Sequence, residues 1–293
     1  MPQEPAVVEE PIGPRVSAIL VSFNQAEALR RALEALEHSQ ERERLEILVV
    51  DCGSRDDSAR IDAEFPAISM LRLPHHLGAT RAMNIGLRTA KAELIFFLSP
   101  DVEVLPDTLV RLAERLEAET DAAAACPLLV NEAGDPVSKV FAIPTREALA
   151  SGELQERKLP DLGEESVPVD YPSLDALLVR RQFLRSMNFF DERFGQYWAD
   201  ADLAMKIRQG GKKIRLYSAI RAKLHPGEDP LEGDSLAAAD KTLGAAAFLG
   251  KYQGFSAGLS FRLAAIFKAL ASFDFKRLSM LISGQKLDGS QAG

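Results

Sequence analysis

From Val16 to Val130 the chain alternates between two hydrophobic rhythms. The runs "VSAILVSF", "LEILVVD", "ISMLRL", "ELIFFLS" and "DAAAACPLLV" are short and largely apolar at successive positions. Such runs predict strands buried on both faces. Between them, "QAEALRRALEALEHS" sets Ala28, Leu29, Ala32, Leu33 and Leu36 at helical spacing. "RDDSARIDAEF", "GATRAMNIGLRTAK" and "PDTLVRLAERLEAE" predict further helices, the last beginning near Pro106. The order is βαβαβαβαβ. Parallel strands need crossover helices, so the pattern predicts an α/β fold: an open, mostly parallel sheet flanked by helices.

Residues 131–170 break the rhythm with Pro136, Pro144, Pro160 and Pro168 and many glutamates. They predict a short strand near Val137 to Ala142, then a mobile surface segment able to act as a lid. Order returns with "SLDALLVRRQFLRSM". In the following stretch Asp200 and Asp202 precede or open a helix from Leu203 to Gln209, Gly210-Gly211 stops it, and two short strands follow. An acidic loop after His225 leads to helices in "AAADKTLGAAAFLGKYQG" and "GLSFRLAAIFKALASFDFKRLSMLISG". The expected division is a flexible lead over residues 1–14, a catalytic domain over 15–230 and a helical extension over 231–293.

Composition changes this picture little: 46% hydrophobic and 27% charged residues are ordinary for a globular chain. The net charge of −8 argues against a nucleic-acid binder, which needs a basic face. Cys52 and Cys126 are the only cysteines. They lack metal-ligand spacing and suit a reducing compartment. No run reaches the roughly 18 apolar residues of a membrane span. The acidic, Pro-rich start does not read as a signal peptide.

Topology then points to candidate chemistry. In open α/β sheets ligands sit beyond the carboxyl ends of the strands. Here those ends carry Asn24, Asp51 and Ser99-Pro100-Asp101. Two carboxylates on one edge suit a hydroxyl- or metal-bearing ligand. No G-x-G-x-x-G follows the first strand, and no G-x-x-x-x-G-K-[ST] occurs, which disfavours the common dinucleotide and P-loop sites.

Four motifs in order, "SAILVSFNQAEALRRALEAL", "ILVVDCGSRDDS", "HHLGATRAMNIGLRTAKAELIFFLSPDVEV" and "FFDERFGQYWADADLAMKIRQGGKKI", resemble a family 2 glycosyltransferase of the GT-A fold, in its rhamnosyltransferase-like branch. The resemblance runs from about Val16 to His225. It implies that Phe23, Asn24, Asp51, Gly53 and Ser54 shape a nucleotide pocket, with Asp51 accepting from the base or ribose. It places Arg81 and Asn84, three apart on one helical face, near the nucleotide and diphosphate. Asp101 would bind the divalent metal, Mg2+ or Mn2+, that neutralises the leaving diphosphate, and His225 would complete that metal shell. Asp200 would be the general base of an inverting transfer. Tyr197 and Trp198 would wall the acceptor side, with Asp202 there or capping the helix. His75 and His76 receive no role.

The expected activity is transfer of a sugar from a UDP- or dTDP-linked donor to a hydroxyl of a glycan or lipid-linked acceptor. Its setting would be envelope polysaccharide synthesis in the cytoplasm, at the inner face of the membrane. The sequence also departs from the family pattern. Ser99 and Ala199 stand where Asn or Asp and Glu are usual, Asn188-Phe189 replaces Gly-Gly and would narrow the acceptor side, and Leu174-Asp175 replaces Gly-Ala. These departures motivate an alternative, a catalytically weakened nucleotide-sugar-binding protein. A nucleotidyltransferase is disfavoured, because "NQAEALRR" stands where its Gly-rich, basic loop belongs. Within 251–290, Lys251, Arg262, Lys268, Lys276, Arg277 and Lys286 outnumber Asp274 and Asp288. That basic, apolar-faced end suits peripheral contact with an anionic membrane, dimerisation, or packing on the catalytic domain, which the sequence leaves open.

Overall fold

The computed structural model describes residues 13–151, 154–159, 165–227, 231 and 233–284. The first strand, β1 (Val16–Ser22), leads through α1 (Ala26–Glu37) to β2 (Leu45–Asp51). A 3-10 helix at Asp57–Ala63 crosses to β3 (Ser69–Arg72), and α2 (Ala79–Thr89) crosses to β4 (Leu94–Leu98). These four strands are parallel, in the order β3-β2-β1-β4. Ser22 lies opposite Asp51 where β1 and β2 end, so the polar ends predicted from sequence share one edge. Then come β5 (Val102–Val104), α3 (Thr108–Ala118) and β6 (Ala122–Val130).

The next segment contains β7 (Val140–Phe141), α4 (Arg146–Ser151), β8 (Glu156–Arg157), β9 (Val167–Val169) and β10 (Tyr171–Pro172). The chain continues through β11 (Ala176–Arg180), α5 (Arg181–Ser186), α6 (Ala199–Gln209) and β12 (Lys213–Leu224). Three helices close it: α7 (Ser235–Tyr252), α8 (Phe255–Ala271) and α9 (Phe275–Ser283). No helix of the described residues is long and apolar enough to cross a membrane.

The sheet is more mixed than the pattern predicts. β11 runs antiparallel between β4 and β6, while β12 is parallel to β6 and antiparallel to β5 and β9. An apolar run fixes a buried strand but not its direction, so this insertion leaves no trace in the periodicity. Burial on both faces holds for the central strands but not for β3, which lies at the sheet edge with Ser69 and Arg72 exposed. Ala18, Leu20, Ile47, Val49, Phe96 and Leu98 pack under Leu33, Leu36, Leu112 and Leu116 of α1 and α3. Ile19, Leu48, Ile95, Phe97, Leu177 and Val179 pack against Leu87, Leu203, Ile207 and Phe248 on the opposite face. Each fully buried Leu or Ile contributes about 1.5–3 kcal/mol of transfer free energy.

Four local expectations change. The described part of the expected lid is ordered: β7, β8 and β10 form a small antiparallel sheet, and Val140, Leu149 and Val167 are buried in the main core. Residues 152–153 and 160–164 of that segment lie outside the described residues, as do 1–12 of the expected lead. Helix α6 begins at Ala199, so Asp200 and Asp202 lie inside its first turn. The two short strands expected after Gly211 are one strand, β12, with a register shift between Tyr217 and Arg221. The last predicted helix is divided into α8 and α9 at Ser272–Asp274, where Phe273 has φ +57.

Candidate active site

Two cavities adjoin at the carboxyl ends of the strands. The first, about 410 Å³, is lined by Phe23, Gln25, His76, Ser99, Pro100 and Asp101, with Asp175 and Gln196 on its far wall. The second, about 340 Å³, holds Tyr171, Ser173, Tyr197, Trp198, Asp200 and Lys241. Ala79, Met83, Leu174, Asp175 and Gln196 line both, so the cavities share a wall.

At the first cavity the loops are built by their own side chains. Asn24, at φ +51, accepts from the Arg55 amide (2.8 Å), and its own amide donates to Ser54 Oγ (2.9 Å). Asn tolerates this left-handed backbone better than most residues. Asp51 is 2% exposed; one carboxylate oxygen accepts from the Ser54 amide (3.2 Å) and the other, Oδ1, is buried with no partner. A buried carboxylate oxygen without a donor is costly, so this one suits a ligand N–H or O–H. Gly53 has φ +76, and a Cβ there would meet His75 Cα at 2.7 Å, which is why the turn needs glycine. Phe23 makes an edge contact with His76 at 4.7 Å between centroids. Of the five residues expected to shape a nucleotide pocket, Phe23 lines the cavity, while Asn24, Asp51, Gly53 and Ser54 form the loops beside it.

Arg81 and Asn84 lie elsewhere. Asn84 is buried and bonds both ways to the Phe190 backbone (2.9 and 3.0 Å) and to Glu192 (3.2 Å). The half-exposed Arg81 pairs with Glu192 at 3.5 Å. The first amides of α2 are already satisfied, Ala79 by Gln196 Oε1 (2.9 Å) and Thr80 by the Gly195 carbonyl (3.1 Å). Helical spacing identifies a face but not its neighbour; here the neighbour is the 190–192 turn, and neither residue lines the first cavity.

Asp101 reaches the cavity, and Gly227 lies so close that any Cβ would overlap its carboxylate. Its backbone carbonyl accepts from the His225 amide (2.9 Å). The His225 ring turns away: Nε2 meets Glu103 at 2.9 Å and Nδ1 meets Glu132 at 3.4 Å. His225 is therefore not placed as a metal ligand, because both ring nitrogens already face carboxylates. Among the described residues no group of three or more His, Cys, Asp or Glu is placed to hold a metal. Asp101 offers carboxylate oxygens of the kind a hard divalent cation takes.

In the second cavity Asp200 accepts from the Tyr171 hydroxyl (2.8 Å) and the Ala201 amide (2.8 Å). Burial pushes its pKa above the usual carboxylate value; these two bonds oppose that rise and the nearby Asp175 charge adds to it. Asp175 is raised too, chiefly by burial and opposed by a hydrogen bond from Ser173 Oγ (2.5 Å). Trp198, at φ +78, is buried and donates from Nε1 to the Lys241 carbonyl of α7 (2.8 Å). The Lys241 ammonium lies 5.8 Å from the centre of the Tyr197 ring. Tyr197 and Trp198 thus line this cavity.

Asp202 is fully buried and does not cap α6. It accepts from Tyr252 Oη (2.6 Å) and pairs with Lys251 (2.7 Å) and Lys206 (3.5 Å). Asn188 and Phe189 do not line the cavity and do not narrow it; they end α5 at φ +59 and +62, where glycine would sit unstrained. Sequence reasoning also missed His76, Asp175 and Gln196. Only Leu174-Asp175 standing for Gly-Ala gave a signal.

Comparison with known proteins follows this geometry. A family model described as "Glycosyl transferase family 2" matches residues 17–163, half of the chain. The succinoglycan biosynthesis protein ExoO of Rhizobium meliloti is 32% identical over 107 residues, 36% of this chain and 30% of that one. An uncharacterized glycosyltransferase of Mycobacterium tuberculosis is 32% identical over 108 residues, 36% of this chain and 41% of that one. The chain thus spans less than half the length of these curated relatives. The N-acetylglucosaminyl-diphospho-decaprenol L-rhamnosyltransferase of Mycobacterium tuberculosis is 24% identical, covering 72% of this chain and 78% of that one. Among solved structures, GalNAc-T7 with UDP, GalNAc and Mn2+ matches with TM-score 0.60 at 15% identity, over 73% of this chain and 44% of that one. The mannosyltransferase PcManGT of Pyrobaculum calidifontis, in complex with GDP-Man and Mn2+, matches with TM-score 0.56 at 17% identity, over 93% and 74%. The structural likeness is one of fold, the GT-A architecture expected from the motifs. With half its length matched by the family model, the chain belongs to glycosyl transferase family 2.

Proposed function

We propose that the protein is an inverting glycosyltransferase that moves a sugar from a UDP- or dTDP-linked donor to a hydroxyl of a glycan or lipid-linked acceptor, in envelope polysaccharide synthesis. The observation that supports this best is the shared wall. A cavity carrying Asp101 adjoins a cavity carrying Asp200, and Asp51 ends β2, two places from β4 along the same sheet. The rhamnosyltransferase among the relatives is named for a lipid-diphosphate acceptor, and both structural neighbours were solved with a nucleotide or nucleotide sugar and Mn2+.

In this reading Asp51 accepts from the base or ribose with its unpartnered oxygen, and Phe23 packs beside the base. A divalent cation, Mg2+ or Mn2+, held by Asp101 would neutralise charge on the diphosphate. Asp200 takes the proton of the acceptor hydroxyl as that oxygen attacks the anomeric carbon. The carbon–oxygen bond to the diphosphate breaks on the opposite face, which inverts the configuration. Tyr171 holds the carboxylate of Asp200 in place. The two buried thiols suit a reducing compartment, and the reading places the protein in the cytoplasm, at the inner face of the membrane.

One observation favours a second reading, a nucleotide-sugar-binding protein with little turnover: His225 is held by Glu103 and Glu132. Release of UDP or dTDP from nucleotide sugars, followed with Mn2+ and candidate acceptors, separates the two. The transferase reading expects turnover that falls about 10²–10⁴-fold in Asp200→Asn, with the donor-induced thermal shift retained. A shift without turnover supports the binding protein; neither shift nor turnover rejects both.

A further inference from the structure

The wall between the two active-site cavities is made of Ala79, Met83, Leu174, Asp175 and Gln196. Three of these are apolar. Asp175 and Gln196 are the polar pair, and both are partly exposed. A sugar leaving a diphosphate at Asp101 for a hydroxyl held at Asp200 lies against this wall, so its polar residues face the group in transit.

Both backbones are fixed in place. β11 runs antiparallel to β4, so its amino end meets the carboxyl end of β4. Ala176 lies opposite Leu98, and the Ser99 amide donates to the Asp175 carbonyl (2.8 Å). The antiparallel strand thus brings a carboxylate to an edge otherwise built from the ends of parallel strands. Gln196 is held by its own amide, which donates to Asp240 (2.7 Å), and by the preceding Gly195 carbonyl, which accepts from Thr80 (3.1 Å).

The two side chains differ in hydrogen-bonding character. Asp175 Oδ2 accepts from Ser173 Oγ, while Oδ1 has no hydrogen-bond partner among the described residues and is not sealed in the interior. Burial raises the Asp175 pKa, so its charged form gains from any donor a ligand supplies. Gln196 Oε1 accepts from the Ala79 amide (2.9 Å). That bond sets the orientation of the side-chain amide and leaves its NH2 to donate. One wall therefore offers a carboxylate acceptor and an amide donor. Sugar hydroxyls both donate and accept, and the apolar Met83 and Leu174 suit the C–H surface of a ring. The family pattern has Ala where Asp175 stands, so this acceptor is particular to the chain.

We infer that Asp175 and Gln196 select the sugar of the donor, Asp175 accepting from one of its hydroxyls and Gln196 donating to another. The inference rests on the transferase reading and deepens it: the loops at Phe23 and Asp51 choose the nucleotide, and this wall chooses the sugar.

Titration calorimetry with Mn2+ tests it. UDP-glucose, UDP-galactose, UDP-N-acetylglucosamine, dTDP-glucose and dTDP-rhamnose are each compared with UDP or dTDP alone. The readout is the ratio of nucleotide-sugar affinity to nucleotide affinity, which a general loss of structure leaves unchanged. Asp175→Ala installs the residue usual in the family, and Gln196→Glu keeps an acceptor for the Ala79 amide while removing the donor. For at least one sugar the ratio should fall about tenfold in Asp175→Ala and about threefold or more in Gln196→Glu. The nucleotide alone should keep its affinity in both variants. Ratios that stay unchanged across the panel overturn the inference and spare the transferase. So does a parallel loss of nucleotide and nucleotide-sugar binding, which would make the two residues structural. A wild-type protein that binds nucleotides but none of the five nucleotide sugars also overturns it. Failure of the wild type to bind either nucleotide or any nucleotide sugar rejects the transferase reading itself, and this inference with it.

Discussion

Asp200 lies where burial and two hydrogen bonds pull its ionisation in opposite directions, and burial prevails. A general base must be ionised to work, so activity should rise as pH passes the Asp200 pKa, at a pH above the usual carboxylate range. The Tyr171 hydroxyl favours the ionised form. Tyr171→Phe removes that bond and should move the acidic limb of the rate profile to higher pH; an unmoved limb would mean that Asp200 is not the titrating base. At this scale part of the cavity lining stood out in the sequence. Asp101 and Asp200 line the two cavities, and each is a carboxylate at a strand end or helix start that contrasts with apolar runs. Arg81, Asn84 and His225 were misplaced because their partners, Glu192, Phe190, Glu103 and Glu132, come from turns whose paths no periodicity encodes.

Helix α6 is anchored by charge. Asp202, fully buried, meets Lys251 of α7, which also pairs with Asp191 at 2.9 Å. Burial alone would raise the Asp191 pKa, but hydrogen bonds from Arg193 and Lys251 hold it well below the usual value. A depressed carboxylate adds stability above its unfolded pKa, and that stability is lost as pH falls toward the folded value. Lys251→Ala should destabilise the protein by about 3 kcal/mol in urea denaturation, since it strands a buried carboxylate, with Lys206 left as partial compensation. A change below about 0.5 kcal/mol, the size of an exposed pair's contribution, would show that the network is not structural. This link joins residues about fifty positions apart and was invisible to pattern reading. So was the antiparallel entry of β11, because an apolar pentapeptide reads the same in either direction. The early start of α6 was missed for another reason: Tyr197, Trp198 and Ala199 carry no recognisable cap, and the chain enters the helix through Trp198 at positive φ.

Across the whole molecule three concave sites lie in series, each sharing residues with the next. The open sheet supplies the first through its strand ends. The turn before α6 supplies the second, and α7 completes it: Asp240 accepts from the Gln196 amide (2.7 Å) and the Lys241 carbonyl accepts from Trp198. Ala245, Phe248 and Leu249 of α7 share the buried cluster that includes Ile19 and Phe97 of the sheet. The sheet edge was legible because βα alternation fixes where ligands gather. The third cavity was not, because its lining comes from α4, α7, α8 and α9, which are far apart in sequence. The series has meaning only with a nucleoside diphosphate at the Asp101 end. Titration calorimetry of UDP and dTDP, with and without Mn2+, tests that most directly. The account predicts that at least one nucleotide binds with Mn2+, and that removing the metal or introducing Asp101→Asn weakens binding about tenfold or more. Failure of both nucleotides to bind with Mn2+, or full affinity in Asp101→Asn, would contradict it.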